Sequence, residues 1–86
     1  MGEEAANPIE VLLREIDAPD RAVRLAAVFK LGEAAAAAGK DAPGFARAIE
    51  RLEALARDRE AGSWLRKRAK RALRKARGEG GSELDA

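Results

Sequence analysis

The 86-residue sequence predicts a single all-α domain of four helices. Three observations carry this: the alanine supply, apolar residues spaced three and four apart, and Pro or Gly punctuation between the spaced segments. Alanine occurs 21 times. It is the best helix former, and its small side chain lets helix axes approach closely. Aromatic residues, which a sheet would favour, are only Phe29, Phe45 and Trp64. One domain is expected at this length, with about 60% of the unfolded surface buried and a correspondingly small core.

The elements follow in order. Residues 1–7 are expected to be a flexible start. Asn7-Pro8 opens the first helix as a cap followed by a first-position proline, with Glu10 placed for a capping box. Ile9, Leu12, Leu13 and Ile16 form one apolar stripe. Ala18-Pro19-Asp20 breaks the chain, and a second helix is expected over about 20–38. Its apolar residues make two stripes: Val23, Ala27, Leu31, Ala34 and Ala38; and Leu25, Val28, Phe29 and Gly32. A helix apolar on two sides is expected at the centre of the fold, between neighbours. Gly39 and the turn around Pro43 lead to a third helix over about 43–59, buried through Phe45, Ala48, Ile49, Leu52, Leu55 and Ala56. Ala61-Gly62-Ser63 breaks the chain again, with Ser63 as expected cap. A fourth helix over 63–77 buries Leu65, Ala69, Ala72, Leu73 and Ala76. Residues 78–86, GEGGSELDA, have the composition of a disordered acidic tail.

Composition excludes much chemistry. Without cysteine there are no disulfides or thiolate sites, and without histidine the commonest general base and metal ligand is missing. No apolar run reaches the roughly 18 residues of a membrane span. The acidic Met1-Gly2-Glu3-Glu4 lacks the order of a secretory signal, so cytoplasmic residence is expected. Gly39-Lys40-Asp41 has neither the glycines nor the Ser/Thr of a phosphate loop. Glu50 and Glu53 share a helix with arginines, where ion pairing accounts for them. No nucleophile–base pair occurs, so no catalytic residue, cofactor or metal is expected.

The chain also repeats itself. Shifted by 42 residues, Val23-Arg24 falls on Leu65-Arg66, Ala27 on Ala69 and Leu31 on Leu73; shifted by 40, Ile9-Glu10 falls on Ile49-Glu50 and Leu12 on Leu52. A period near 40 is that of paired-helix solenoids. In IDAPDRAVRLAAVFKLG, residues Asp17, Pro19, Val23, Arg24, Ala27, Leu31 and Gly32 stand where the HEAT-like repeat family has its typical pattern. ARDREAGSWLRKRAKRAL keeps Asp58, Leu65, Arg66, Ala69, Ala72 and Leu73, but lacks the turn proline. Over residues 8–77 the chain thus resembles the HEAT-like family. The resemblance implies two antiparallel hairpins forming a short right-handed solenoid or a compact bundle. It also implies structural pairs of Asp17 with Arg24 and of Asp58 with Arg66. Such proteins mostly scaffold or bind proteins; some resemble DNA-binding or repair modules, and others form bilin lyase subunits.

Charge supplies one sharp candidate site. The net charge is +2, yet residues 64–77 hold eight Lys/Arg and no acid. Arg66, Lys67, Arg68, Lys70, Arg71, Arg74, Lys75 and Arg77 cover all but the buried stripe of the fourth helix. The like pairs Arg66/Lys70, Lys67/Arg71, Lys70/Arg74 and Arg71/Lys75 each cost about 0.2–0.5 kcal/mol, partly offset by the favourable dipole at a helix C-terminus. Arg66, Lys67, Lys70, Arg71, Arg74 and Lys75 are the candidate anion- or partner-binding set, for phosphates or for an acidic protein. The bland alternative is a solvated face neutralised by Glu50, Glu53, Glu60 or the tail. With Trp64 the only interleaved aromatic residue, base stacking is not expected.

A second candidate is apolar: Leu25, Val28, Phe29 and Trp64. Two hairpins are fewer than solenoids normally need, so the second stripe is expected to be a leftover face, used for self-association or a partner, unless the first and third helices cover it. The function expected is a non-catalytic protein–protein interaction or scaffold module. A nucleic-acid-binding accessory protein and a small subunit of a larger enzyme are the alternatives.

Overall fold

In a computed structural model of the chain, residues 7–78 are described. They form α1 (Pro8–Glu15), α2 (Arg21–Ala38), α3 (Phe45–Arg57), a 3-10 turn (Arg59–Ala61) and α4 (Ser63–Arg77). There is no strand among the described residues. The expected flexible ends, 1–6 and 79–86, lie outside this range.

The sequence spells out most of the helix ends. Asn7 accepts from the Ile9 N–H at 2.9 Å, and Pro8 fills a position whose N–H would have no partner. The Asn7 amide also donates to the Pro43 carbonyl at 3.2 Å, so Asn7 belongs to the folded domain rather than to a flexible start. Asp20 caps α2, accepting from Ala22 and Val23, with Pro19 one residue outside. Helix α3 is shorter than its apolar pattern suggests. Gly44 precedes it at φ +87°, in a left-handed conformation, and a side chain there would also come within 3.1 Å of Ile9 Cγ2. At its other end Asp58 accepts from the Glu60 N–H and opens the 3-10 turn. Ser63 is not a cap: Gly62 holds that position without a side-chain hydrogen bond, and Ser63 is the first helical residue. Gly78 closes α4 in the left-handed conformation, which makes it part of the domain rather than of the tail.

The four helices form two antiparallel hairpins, α1–α2 and α3–α4, stacked in the same orientation. Contacts between the hairpins run in step along the chain. Glu10 meets Arg47 and Asp17 meets Arg51 between α1 and α3. Between α2 and α4, Phe29 meets Arg68, Gly32 meets Ala72 and Glu33 meets Lys75. Each helix therefore lies parallel to its counterpart in the other hairpin. The widest interface is α2 with α4, while α1 and α3 touch only lightly.

The core is aliphatic. Ile9, Leu12, Leu13 and Ile16 from the first hairpin meet Ala48, Leu52 and Leu55 of α3 and Leu65, Ala69, Ala72, Leu73 and Ala76 of α4. Helix α2 corrects the two-stripe reading. It buries one broad face between those stripes, Ala27, Val28, Leu31, Gly32 and Ala35, while Val23 and Ala38 are exposed and Ala34 is half-buried. Three neighbouring helices demand a face wider than one stripe. At its centre Gly32 lies against Ala72, where an added Cβ would fall 2.7 Å from the Ala72 Cβ. The small pair is what lets the two axes approach.

The pairs implied by the resemblance are also different in detail. Arg24 Nε donates to the Ile16 carbonyl at 3.1 Å, and Asp17 instead pairs with Arg51 of the other hairpin. Arg66 Nη1 donates to the Arg59 carbonyl at 3.2 Å, while Asp58 caps the 3-10 turn. Both arginines still tie their own hairpin's turn, but through carbonyls that otherwise lack a helical partner.

A basic crest on the outer face of helix four

Spacing alone places Lys67, Lys70, Arg71 and Arg74 at i, i+3, i+4 and i+7, on the side of α4 opposite its buried stripe. All four are exposed. Over seven residues of helix they make a line about 10 Å long. The other cations of α4 are occupied on its two flanks. Toward α2, Lys75 pairs with Glu33 at 3.7 Å and the Arg68 guanidinium sits 6.0 Å above the Phe29 ring. Toward α3, Arg77 pairs with Glu53, and Arg66 ties the turn.

The candidate set divides accordingly. Lys67, Lys70, Arg71 and Arg74 have no carboxylate within 4.0 Å among the described residues, whereas Arg66 and Lys75 serve the fold. Of the acids expected to neutralise the face, Glu53 acts on Arg77 alone. Neither Glu50 nor Glu60 makes an ion pair with α4 among the described residues, and the tail lies outside them.

The apolar candidate set does not survive as one surface. Val28 is fully buried, and Leu25 is half-buried against the core. The stripe they belong to is covered by α4, not by α1 and α3, and is not a leftover face. Phe29, at 48% exposure, and Trp64, at 66%, remain accessible. Trp64 stands at the N-terminal end of the crest, where it lines a shallow depression of about 240 Å³ with Lys67, Arg68 and Arg71.

One relation between the two sets was readable in the sequence but requires the fold to give it meaning. Shifted by 42 residues, Leu25, Val28, Phe29 and Gly32 fall on Lys67, Lys70, Arg71 and Arg74. On α2 this register receives α4. On α4 the same register faces outward, carrying four cations in place of an apolar stripe.

Among the described residues no cluster of three or more acidic, His or Cys side chains could hold a metal ion. No described helix is long and apolar enough to cross a membrane. No protein-family model, curated protein or solved structure matches the chain.

The like charges of the crest are expected to lower the stability of the domain. Lys70→Glu turns the Arg66/Lys70 and Lys70/Arg74 repulsions into attractions and is expected to stabilise the domain by about 0.5–1 kcal/mol at low salt. The gain should fade at roughly 1 M salt, where the Debye length is about 3 Å. Urea midpoints at the two salt concentrations check this; a Lys70→Glu protein less stable than the parent at low salt would contradict an uncompensated crest.

Proposed function

We propose that this protein is a non-catalytic interaction module of HEAT-like type, which docks an anionic partner, foremost another protein, through the crest of α4. The observation that carries the reading is the division of cations on that helix. Four flank residues are engaged within the fold, while the four in line are left without a described acidic partner at a cost in mutual repulsion. A face serving solubility alone would mix its signs and avoid that cost. The HEAT-like assignment draws support from the parallel stacking of the two hairpins and from Arg24 and Arg66, which sit at equivalent positions and tie equivalent turns.

A second reading, backbone contact with nucleic acid, uses the same cations, which lie in line at phosphate-binding reach along one helix face. Service as a small subunit of a larger enzyme would use the crest in the same way. The test is binding of the purified protein to polyglutamate and to a generic DNA duplex, titrated with salt. Binding to at least one at low salt, weakening as salt rises and lost in the Lys67→Glu, Lys70→Glu, Arg71→Glu, Arg74→Glu protein, is expected. Failure of both polyanions to bind at low salt would overturn the crest as a binding surface.

A further inference from the structure

We infer that the partner presents a helix to this crest, with acidic residues at the same i, i+3, i+4, i+7 spacing. The inference rests on the proposed anion-docking role and adds the partner's shape. Within the fold, Leu25, Val28, Phe29 and Gly32 of α2 occupy the register that receives a parallel helix, α4. The crest is that register one hairpin further on. Another helix laid there would continue the stacking, and its own i, i+3, i+4, i+7 face would set four carboxylates along the same line of about 10 Å.

The residues on the crest also fix what kind of helix fits. At the α2–α4 crossing the small residues Gly32 and Ala72 bring the backbones together. The residue equivalent to Gly32 on the crest is Arg74, so a partner helix must stand farther off, with long side chains bridging the gap. Glutamates opposite Lys and Arg do that; an apolar alanine-rich helix does not. At the N-terminal end Trp64 and the stems of Lys67, Arg68 and Arg71 line the shallow depression, which suits one apolar side chain at the end of the acidic stripe. A second copy of this chain is a poor occupant. Crest against crest sets like charges face to face, and the exposed side of α2 offers Val23 and Lys30 but no run of acids.

Trp64 is the only tryptophan and lies beside the crest, so its emission reports occupancy. Three tryptophan-free probes are titrated against the full chain at one low salt concentration. They are an alanine-based helical peptide of about 20 residues with glutamates in the stripe, an isomer of identical composition with the glutamates spread around the helix, and a short DNA duplex. The stripe peptide is expected to bind about tenfold tighter than its isomer and tighter than the duplex. Lys70→Glu with Arg74→Glu should abolish that preference, while Lys40→Glu, on the exposed turn after α2, should leave it unchanged. Equal binding of the two peptides, or tighter binding of the duplex, overturns the helical partner while leaving the crest an anion surface. No binding by any probe overturns both, provided that calorimetry agrees with the emission signal.

Discussion

Leu31→Ala is expected to bring the domain close to the limit of folding. Leu31 is fully buried near the middle of α2, the helix that touches all three others. Its neighbours one turn away on the same helix are Ala27 and Ala35, too short to reach into the space it would leave. The lost transfer energy and an uncollapsed cavity together should cost about 3–5 kcal/mol. A domain of this size holds roughly 5–10 kcal/mol in total. Urea unfolding checks this through the midpoint, which should fall by about half while the slope is unchanged. Val23→Ala, a truncation of the same helix on an exposed side, should move the midpoint little. If the two variants lost comparable stability, Leu31 would not be at the centre of the core.

Gly32→Ala is expected to destabilise, against its helix propensity. In an exposed helix interior the exchange would gain about 1 kcal/mol. Here the new methyl would stand 2.7 Å from the Ala72 Cβ, 2.8 Å from its Cα and 2.9 Å from its carbonyl oxygen. Two of those atoms are backbone and cannot swing aside, so α2 and α4 must separate along their widest interface. Overpacking of this kind costs about 1–3 kcal/mol beyond the propensity gain. The melting temperature should fall by about 4–8 °C for each kcal/mol lost. Ala72→Gly should not restore it, because the Cα and the carbonyl remain in place. A Gly32→Ala protein melting above the parent would mean that the helices do not approach so closely.

These two positions also mark where the sequence was legible and where it was not. The start of α1 and the span and buried stripe of α4 could be read directly, since each helix has one apolar side and one charged side. Of the six residues expected to be buried in α3, Ala48, Leu52 and Leu55 are, while Phe45, Ile49 and Ala56 are half-buried against the core. For α4 the five expected residues Leu65, Ala69, Ala72, Leu73 and Ala76 are the buried ones. Helix α2 could not be read that way. Its alanines satisfy a buried and an exposed environment equally well, so periodicity fixed no single face. Ala35 carries no signal of its own within a run of five alanines, yet it is fully buried. Ser63 was the expected cap of α4, and the turn geometry gives that position to Gly62 instead.

The charged residues show the same division more sharply. Four helices, two related hairpins and the concentration of eight cations on the last helix are all legible in the order of residues. Each of these depends on spacing along one chain, which is local information. Which of those cations are engaged within the fold depends on how the helices pack. Glu33 and Glu53 are far from α4 in sequence, and packing brings them to its two flanks, where they engage Lys75 and Arg77. It likewise buried Val28 and placed Asp17 against Arg51 instead of Arg24. The reason is physical: helix formation follows from neighbours three and four residues apart, whereas an ion pair or a covered face depends on which helices share an interface.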